Sequence, residues 1–576
     1  MKLILKYIKK YKPLLVLNII SVFGFVLVEL GIPTIMARVI DTGIANKDIE
    51  YTKHMGIVIV GISIVGAMGT ILLGYCSSKI STSMIRDLRN DIFKKSQEFS
   101  HSEYDKFGIS SMITRTTNDV FQLQQFTNTL LRVAFLAPVM FIVSLVMIIR
   151  TSLHLSVVLA ITVPFIVLGV IIISKISYPI SEKQQKKLDK LNRISRENLT
   201  GARVIRAFGN DDHENQRFEE INNEYTNLSK KLYKLMAISQ PTFFFLLNLA
   251  VLAIFWISSK MINAGTLQVG QLVAFIEYLF HAMFSIMLFS MMFIMYPKAQ
   301  ISANRINEIL AEEPIIKNPK YGVKNTAIRG IVEFDNVTFI YPDGEIPVLS
   351  DISFTAVKGE KVAFIGSTGS GKSTLINLIP RFYDVTKGSI KIDGVDVREY
   401  DLKALREKMG FIPQKTLLFT GSIGTNIKFG KAAADKQELE HSAKVAQAYD
   451  FINSKHKKFE ELISEGGSNM SGGQKQRLSI ARALVRKPEI YIFDDSFSAL
   501  DFKTDAMLRE KLKDETRDSV VLMVAQRIGS IIDANKIIVL NEGEIVGIGT
   551  HKELLKTCEI YYEIASSQLT KEELEQ

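Results

Sequence analysis

The sequence predicts two domains in series. An all-α domain of six membrane-spanning helices with long cytoplasmic extensions covers 1–311. A linker follows over 312–329, and an α/β domain covers 330–576. Three observations carry this. Long apolar runs crowd the first half. Alternating apolar residues begin near Gly330. A short apolar strand, Val362, Ala363, Phe364 and Ile365, runs straight into a glycine-rich loop and then a helix.

The chain begins with a basic amphipathic stretch (Lys2, Lys6, Lys9, Lys10, Lys12), and no small-residue cleavage site follows its first apolar run. Six apolar runs come next, at 14–36, 55–75, 133–149, 155–173, 238–258 and 272–295. Each is near the roughly 20 residues a helix needs to cross a bilayer core. Soluble helices this apolar on every face rarely occur six times in half a chain. Lys79, Arg86, Arg89, Lys94, Lys95, Lys106 and Arg115 lie between the second and third runs. The stretch between the fourth and fifth is also basic, whereas the other connections carry few cations. The positive-inside rule then places both termini in the cytoplasm of a multi-pass cell-membrane protein. The net charge of +10 reflects these loops and not a nucleic-acid surface.

The connections 76–132 and 174–237 are too long for turns and keep a helical period (Ile85, Leu88, Ile92). They are expected to be cytoplasmic extensions of the spans, each breaking once, over 104–111 and 206–211, with tips that press on a soluble domain. Two acids fall inside spans: Glu29, just before Pro33, and Glu277. Either they face a cavity that accepts cationic or polar substrate groups, or they make structural hydrogen bonds between helices. Met283, Met287, Met291, Met292 and Met295 suit an adaptable apolar surface, and ordinary packing accounts for them equally. Cys76 and Cys558 are the only cysteines, which excludes a disulfide framework and a cysteine metal site.

Pro314 and Pro319 mark the linker, and the α/β domain opens with strands around Ile331 and Val337. The loop reads Gly366, Ser367, Thr368, Gly369, Ser370, Gly371, Lys372, Ser373, then Thr374. Backbone N–H groups of such a loop surround phosphates. Its lysine reaches the terminal ones, and its serine hydroxyl is a Mg²⁺ ligand. A helix over 373–379 is expected after it. A second apolar strand ends in Asp494 and Asp495. The first of these carboxylates is placed to hold Mg²⁺, the second to orient an attacking water. Ser471, Gly472, Gly473 and Gln474 precede a helix expected from about Lys475 to Val485, forming a second anion site.

Together these motifs resemble, over essentially the whole length, an ATP-binding cassette exporter half-transporter: a membrane domain fused ahead of a phosphate-loop nucleotide-binding domain. The resemblance implies ATP and Mg²⁺ as ligands. It makes 366–373 the Walker A loop, Asp494 the Walker B aspartate, 471–474 the signature loop and Gln414 the Q-loop glutamine, a further Mg²⁺ contact. It also implies that Tyr341 stacks on adenine, that Asp501 belongs to the D-loop, and that 198–208 is the second intracellular loop.

Two positions depart from the family pattern. Asp495 stands where the family has its catalytic glutamate, and Gln526 where it has its switch histidine. Aspartate is one methylene shorter, and a displacement of about 1 Å in a catalytic group can cost about 100-fold. Glutamine cannot carry a proton as imidazole does. The family's two ATP sites form between chains, each from one Walker side and the other signature. The resemblance therefore implies the degenerate-site subunit of a heterodimeric bacterial multidrug exporter, with weak hydrolysis in its own pocket and a second half-transporter as partner. A homodimeric exporter or lipid flippase with slow ATPase remains open, as does a non-pumping regulatory or channel role. A soluble DNA-associated ATPase is disfavoured by the six spans. No peptidase segment is expected ahead of the first span. Cargo is expected to be hydrophobic or amphipathic.

Overall fold

The computed structural model describes residues 1–570 and 574; the side chains of Val170, Ser174, Ser239, Phe293 and Ile294 lie outside it, as does the end of the expected 330–576 domain at 571–573 and 575–576. The chain divides into two compact units. One comprises Met1–Gln97 and Ser110–Glu312, the other Glu98–Ile109 and Glu313–Gln576.

The first unit is helical throughout. Its elements are α1 (Lys2–Ile8), α2 (Lys12–Arg38), α3 (Ile49–Glu98), α5 (Ile109–Thr114), α6 (Val120–Val133), α7 (Leu136–Thr151), α8 (Leu153–Phe208), α9 (Asp211–Asn263) and α10 (Val269–Ala311); α4 (His101–Phe107) belongs to the second unit. Among the described residues six helical stretches are long and apolar enough to cross a membrane. At about 1.5 Å per residue, the 50 residues of α3 and the 56 of α8 are more than twice as long as a bilayer core is thick. Both therefore run well past it, as their sequence period requires. The break expected over 104–111 falls at Gly108, but the first connection also breaks earlier, at Phe99 and Ser100, so it turns twice and not once; the break expected over 206–211 falls at Gly209 and Asn210. Gly209 takes φ +60, the left-handed cap that ends a helix without a Cβ penalty.

Close backbone approach and buried polar pairs hold α2 on α3. A Cβ on Gly69 would lie 3.1 Å from the Gly24 Cα, and one on Gly66 would lie 1.7 Å from Val28 Cγ2. Small residues of this kind let membrane helices pack at short range. Asn18 donates to the Ser77 hydroxyl at 2.9 Å. The basic N-terminal stretch is amphipathic as expected: Leu3, Ile4, Tyr7 and Ile8 are buried, and the Tyr7 hydroxyl donates to Asp91 at 2.6 Å. Asp41 accepts from the amides of Gly270 (2.5 Å) and Gln271 (3.0 Å), which fixes the first turn of α10.

In the second unit a four-stranded antiparallel sheet of order β2-β1-β4-β5 uses β1 (Ile331–Phe339), β2 (Leu349–Val357), β4 (Lys387–Ile392) and β5 (Val395–Asp396). A six-stranded sheet has the order β12-β11-β3-β10-β9-β6, with β3 (Lys361–Gly366), β6 (Met409–Ile412), β9 (Ile490–Asp494), β10 (Val520–Val524), β11 (Lys536–Asn541) and β12 (Glu544–Gly549). A two-stranded ribbon joins β7 (Gly421–Ser422) to β8 (Leu462–Ile463). From β11 to β6 all pairings are parallel. All five residues of β9 and of β10 are buried, as expected of strands covered on both faces. Short loops after β3, β10, β9 and β6 therefore open at one edge of the sheet, where ligands of such folds collect.

The helical tip α4 packs within this unit. Ser100 and Glu103 form a capping box, and the second Glu103 oxygen accepts from the Ile315 amide at 3.0 Å. His101 lies edge-on to Phe382, with ring centres 4.9 Å apart. Tyr383 donates to Asp105 at 3.4 Å; burial and then the Asp105 charge push its pKa up to about 12.

Candidate nucleotide site

Helix α11 (Lys372–Leu378) follows the loop at 366–373, one residue earlier than the sequence suggests. Two glycines there are sterically required. Gly366 ends β3 against β11, where a Cβ would lie 2.0 Å from the Leu540 carbonyl oxygen. Gly371 has φ +94, and its Cβ would meet the Leu349 side chain at 2.7 Å. Gly369 (φ +87) has open space around it, so only its backbone conformation demands glycine. Ser367 and Thr368 lie between them on the same turn. The Lys372 ammonium is held inside the loop, donating to the carbonyls of Gly366 (2.9 Å) and Ser367 (2.6 Å) and to the Ser370 hydroxyl (3.2 Å). Burial lowers its pKa, while Asp495 and Asp494 pull the other way.

The Ser373 hydroxyl donates to Asp494 Oδ1 at 2.8 Å. Burial raises the Asp494 pKa, the Ser373 bond opposes that shift, and the Asp495 charge adds to it. A hydroxyl and a carboxylate converging beside a lysine form an oxygen donor set that suits Mg²⁺ and phosphate. The residues present thus fit the expected ligands: Ser373 and Asp494 for the metal, the loop amides and Lys372 for phosphates.

Three sequence-distant residues meet at Asp495. The β3-β10-β9-β6 order places the ends of three neighbouring strands side by side: Gln526 after β10, Asp495 after β9 and Gln414 after β6. Asp495 Oδ2 accepts from Gln526 Nε2 at 2.7 Å and from Gln414 Nε2 at 3.2 Å. The side chain is buried, and its backbone takes φ +46, a left-handed conformation that aspartate tolerates better than most residues. Burial raises its pKa; the Gln414 amide, Arg527 and Lys372 hold it down. The two residues that depart from the family pattern are therefore bonded to each other, and Gln414 reaches the carboxylate of the attacking-water position.

Tyr341 lies beside α11. Its hydroxyl is 3.0 Å from that of Thr374, and its ring stands edge-on to Phe339 and Tyr383. The Asp501 carboxylate caps the helix Phe502–Glu515, taking the Thr504 amide (2.9 Å) and hydroxyl (2.7 Å). The signature helix runs Gly472–Leu484, three residues earlier at its start than the sequence suggests. Ser471 and Gln474 form a reciprocal capping box, which holds Gly472 and Gly473 helical despite their weak propensity. Ser471 is exposed. Among the described residues no hydrogen bond joins 471–474 to 366–373.

In the membrane unit Glu29 and Glu277 part company. Glu29 pairs with His281 at 3.5 Å and lines a small cavity, while Glu277, one turn from His281 on α10, is exposed and does not line it. Sequence reasoning passed over His281. Its signal was an ionisable side chain four residues after an acid inside an apolar run.

Known proteins agree with this architecture. Residues 15–299 match the family described as the ABC transporter transmembrane region, and 349–498 match the family described as ABC transporter. An uncharacterized ABC transporter ATP-binding protein of Mycobacterium tuberculosis is 35% identical over 98% of both chains. The corresponding protein YfiB of Bacillus subtilis is 35% identical over 99% of this chain and 98% of its own. An ATP-dependent lipid A-core flippase of Vibrio parahaemolyticus is 30% identical, covering 96% and 94%. In fold, the chain resembles a bacterial Atm1-family ABC exporter solved with ATP bound, with a TM-score of 0.82 at 23% identity over 97% of this chain and 99% of the other. With six apolar helices ahead of a phosphate-loop domain, and relatives alike from end to end, this chain belongs to the ABC transporter family.

Proposed function

We propose that this chain is one half of an ATP-driven exporter, a heterodimer in the bacterial cell membrane with both termini in the cytoplasm, and that its own nucleotide pocket binds ATP and hydrolyses it weakly. One observation carries the asymmetry: the single carboxylate oxygen that would face an attacking water is engaged by two amide donors, Gln526 and Gln414. Neither amide can accept or relay a proton. The shorter Asp495 also withdraws the carboxylate by about 1 Å relative to glutamate, a displacement that can cost about 100-fold.

In the pocket, Lys372 and the loop amides would bind and orient the phosphates, Ser373 and Asp494 would hold the metal, and Tyr341 would offer a ring to the base. Mg²⁺, when bound, neutralises charge on the phosphate oxygens. The capped, exposed turn at 471–474 completes the site of a partner whose Walker side retains glutamate and histidine. ATP-dependent closure of the paired nucleotide domains reaches the membrane helices through tips such as α4. The cargo is amphipathic, a lipid or lipid-like drug, in keeping with the flippase relatives.

The experiment is steady-state ATPase of the purified chain alone and of the chain assembled with a half-transporter carrying Glu and His at the two altered positions. Slow turnover alone and fast turnover together are expected. Rapid turnover and transport by the chain alone would favour the homodimer.

A further inference from the structure

The cavity between α2, α7 and α10 is lined by Glu29, a carboxylate within a membrane-spanning stretch. It has a volume of about 150 Å³, and its walls include Phe25 and Glu29 of α2, Met140 of α7, and Phe280, His281 and Phe284 of α10. The Glu29 side chain keeps 35% of its surface open. Among the described residues no hydrogen bond reaches its carboxylate, and His281 is its only ion-pair partner, at 3.5 Å. That is longer than an ordinary hydrogen bond. The contact between helices at Glu29 is thus a long ion pair and not a short hydrogen bond, and it leaves the carboxylate open to a further partner. A carboxylate at this depth is costly unless something cationic or polar meets it. The rings of Phe280 and Phe284 lie parallel, 5.9 Å apart, and aromatic faces attract cations when water is scarce.

We propose that this cavity is a binding subsite for the compact head of an organic cation, with Glu29 as counter-charge and the three phenylalanines as its aromatic wall. The volume is well below the roughly 300 Å³ at which drug-sized pockets begin, so only the charged head or one ring enters and the apolar remainder lies outside. Glu277, exposed one turn away, takes no part. The inference rests on the chain being a transporter subunit but not on which of its ATP sites hydrolyses.

The test uses the full chain in lipid nanodiscs, with MgATP binding as the check on folding. Two probes are titrated: hexyltrimethylphosphonium, whose charged head is compact, and the neutral hexyldimethylphosphine oxide. Glu29→Gln is expected to weaken phosphonium binding by about tenfold or more and to change binding of the neutral probe by less than about twofold, with Glu277→Gln within about twofold for both. Equal phosphonium affinity in wild type and Glu29→Gln, or equal losses in the two glutamate variants, overturns the proposal. If Glu29→Gln does not bind MgATP, carbodiimide labelling of the wild type decides. Phosphonium should slow modification of Glu29 about fivefold or more and leave Glu277 unchanged; no protection of Glu29 overturns the proposal. A heterodimer that fails to pump would refute the exporter reading and leave these binding results standing.

Discussion

The Walker side and the signature side of the same domain contrast: the first departs from the expected family pattern at Asp495 and Gln526, the second keeps it at 471–474. On the Walker side the loop, Lys372, Ser373 and Asp494 are complete, yet the water-facing carboxylate is shortened and bonded to Gln526. On the signature side Ser471 and Gln474 form an intact capping box on an exposed helix end. On the proposed reading the two faces serve ATP sites of unequal activity, and the contrast between them is what the following experiments probe.

The largest expected effect comes from breaking the Walker side outright. Gly366→Ala puts a Cβ 2.0 Å from the Leu540 carbonyl and must move β3 or β11. A destabilisation of about 3 kcal/mol is expected in denaturant unfolding, with loss of ATP binding. Gly369→Ala, where only φ is unfavourable, should cost about 1–2 kcal/mol. Similar costs for the two would mean that contact with β11 is not what makes Gly366 necessary.

Restoring the Walker side should sharpen the contrast. Asp495→Glu with Gln526→His is expected to raise single-turnover hydrolysis in this pocket by about 10- to 100-fold, since it returns both a reaching carboxylate and a group that carries a proton. Because the two side chains are bonded at 2.7 Å, the double variant should exceed the sum of the singles in a mutant cycle. Additive behaviour would detach the Gln526 bond from the loss of activity.

A smaller effect follows from burial of Lys372, which lowers its pKa. Bound phosphates favour the charged ammonium, so ATP affinity should be flat near neutrality and decline by a few-fold as pH rises, beginning below the usual lysine range. Titration calorimetry at pH 7 to 10 reads this; affinity unchanged across the range would place Lys372 in open solvent. Smallest is the structural cost of Ser471→Ala. The lost cap should lower stability by about 1 kcal/mol and leave ATP binding by the isolated chain unchanged.

Much of this was legible from residue order alone. The six spans and the breaks at Gly108 and Gly209 follow from apolar runs, helical period and local glycine cues, whereas the further break at Phe99 and Ser100 was not expected. The phosphate loop was legible because strand, glycines and helix are contiguous. The meeting of Gln414, Asp495 and Gln526 was not, since it depends on the strand order β3-β10-β9-β6, which no local pattern encodes. The Glu29–His281 pair likewise joins α2 to α10 across more than two hundred residues. At Asp501 the sequence also held a local capping pattern, Asp501 with Thr504, that the reading did not use. At the signature, the two glycines suggested a later helix start, and the Ser471–Gln474 box overrides them.

The separation of roles is tested most directly in the assembled pair, with one substitution at a time in this chain and steady-state ATPase as the readout. Ser471→Ala should cut turnover by about 20-fold or more, because it damages the site that hydrolyses, whereas Lys372→Ala, confined to the weak pocket, should leave about a third or more of it. Equal abolition by both, or a greater loss from Lys372→Ala, would contradict the division of labour between the two faces.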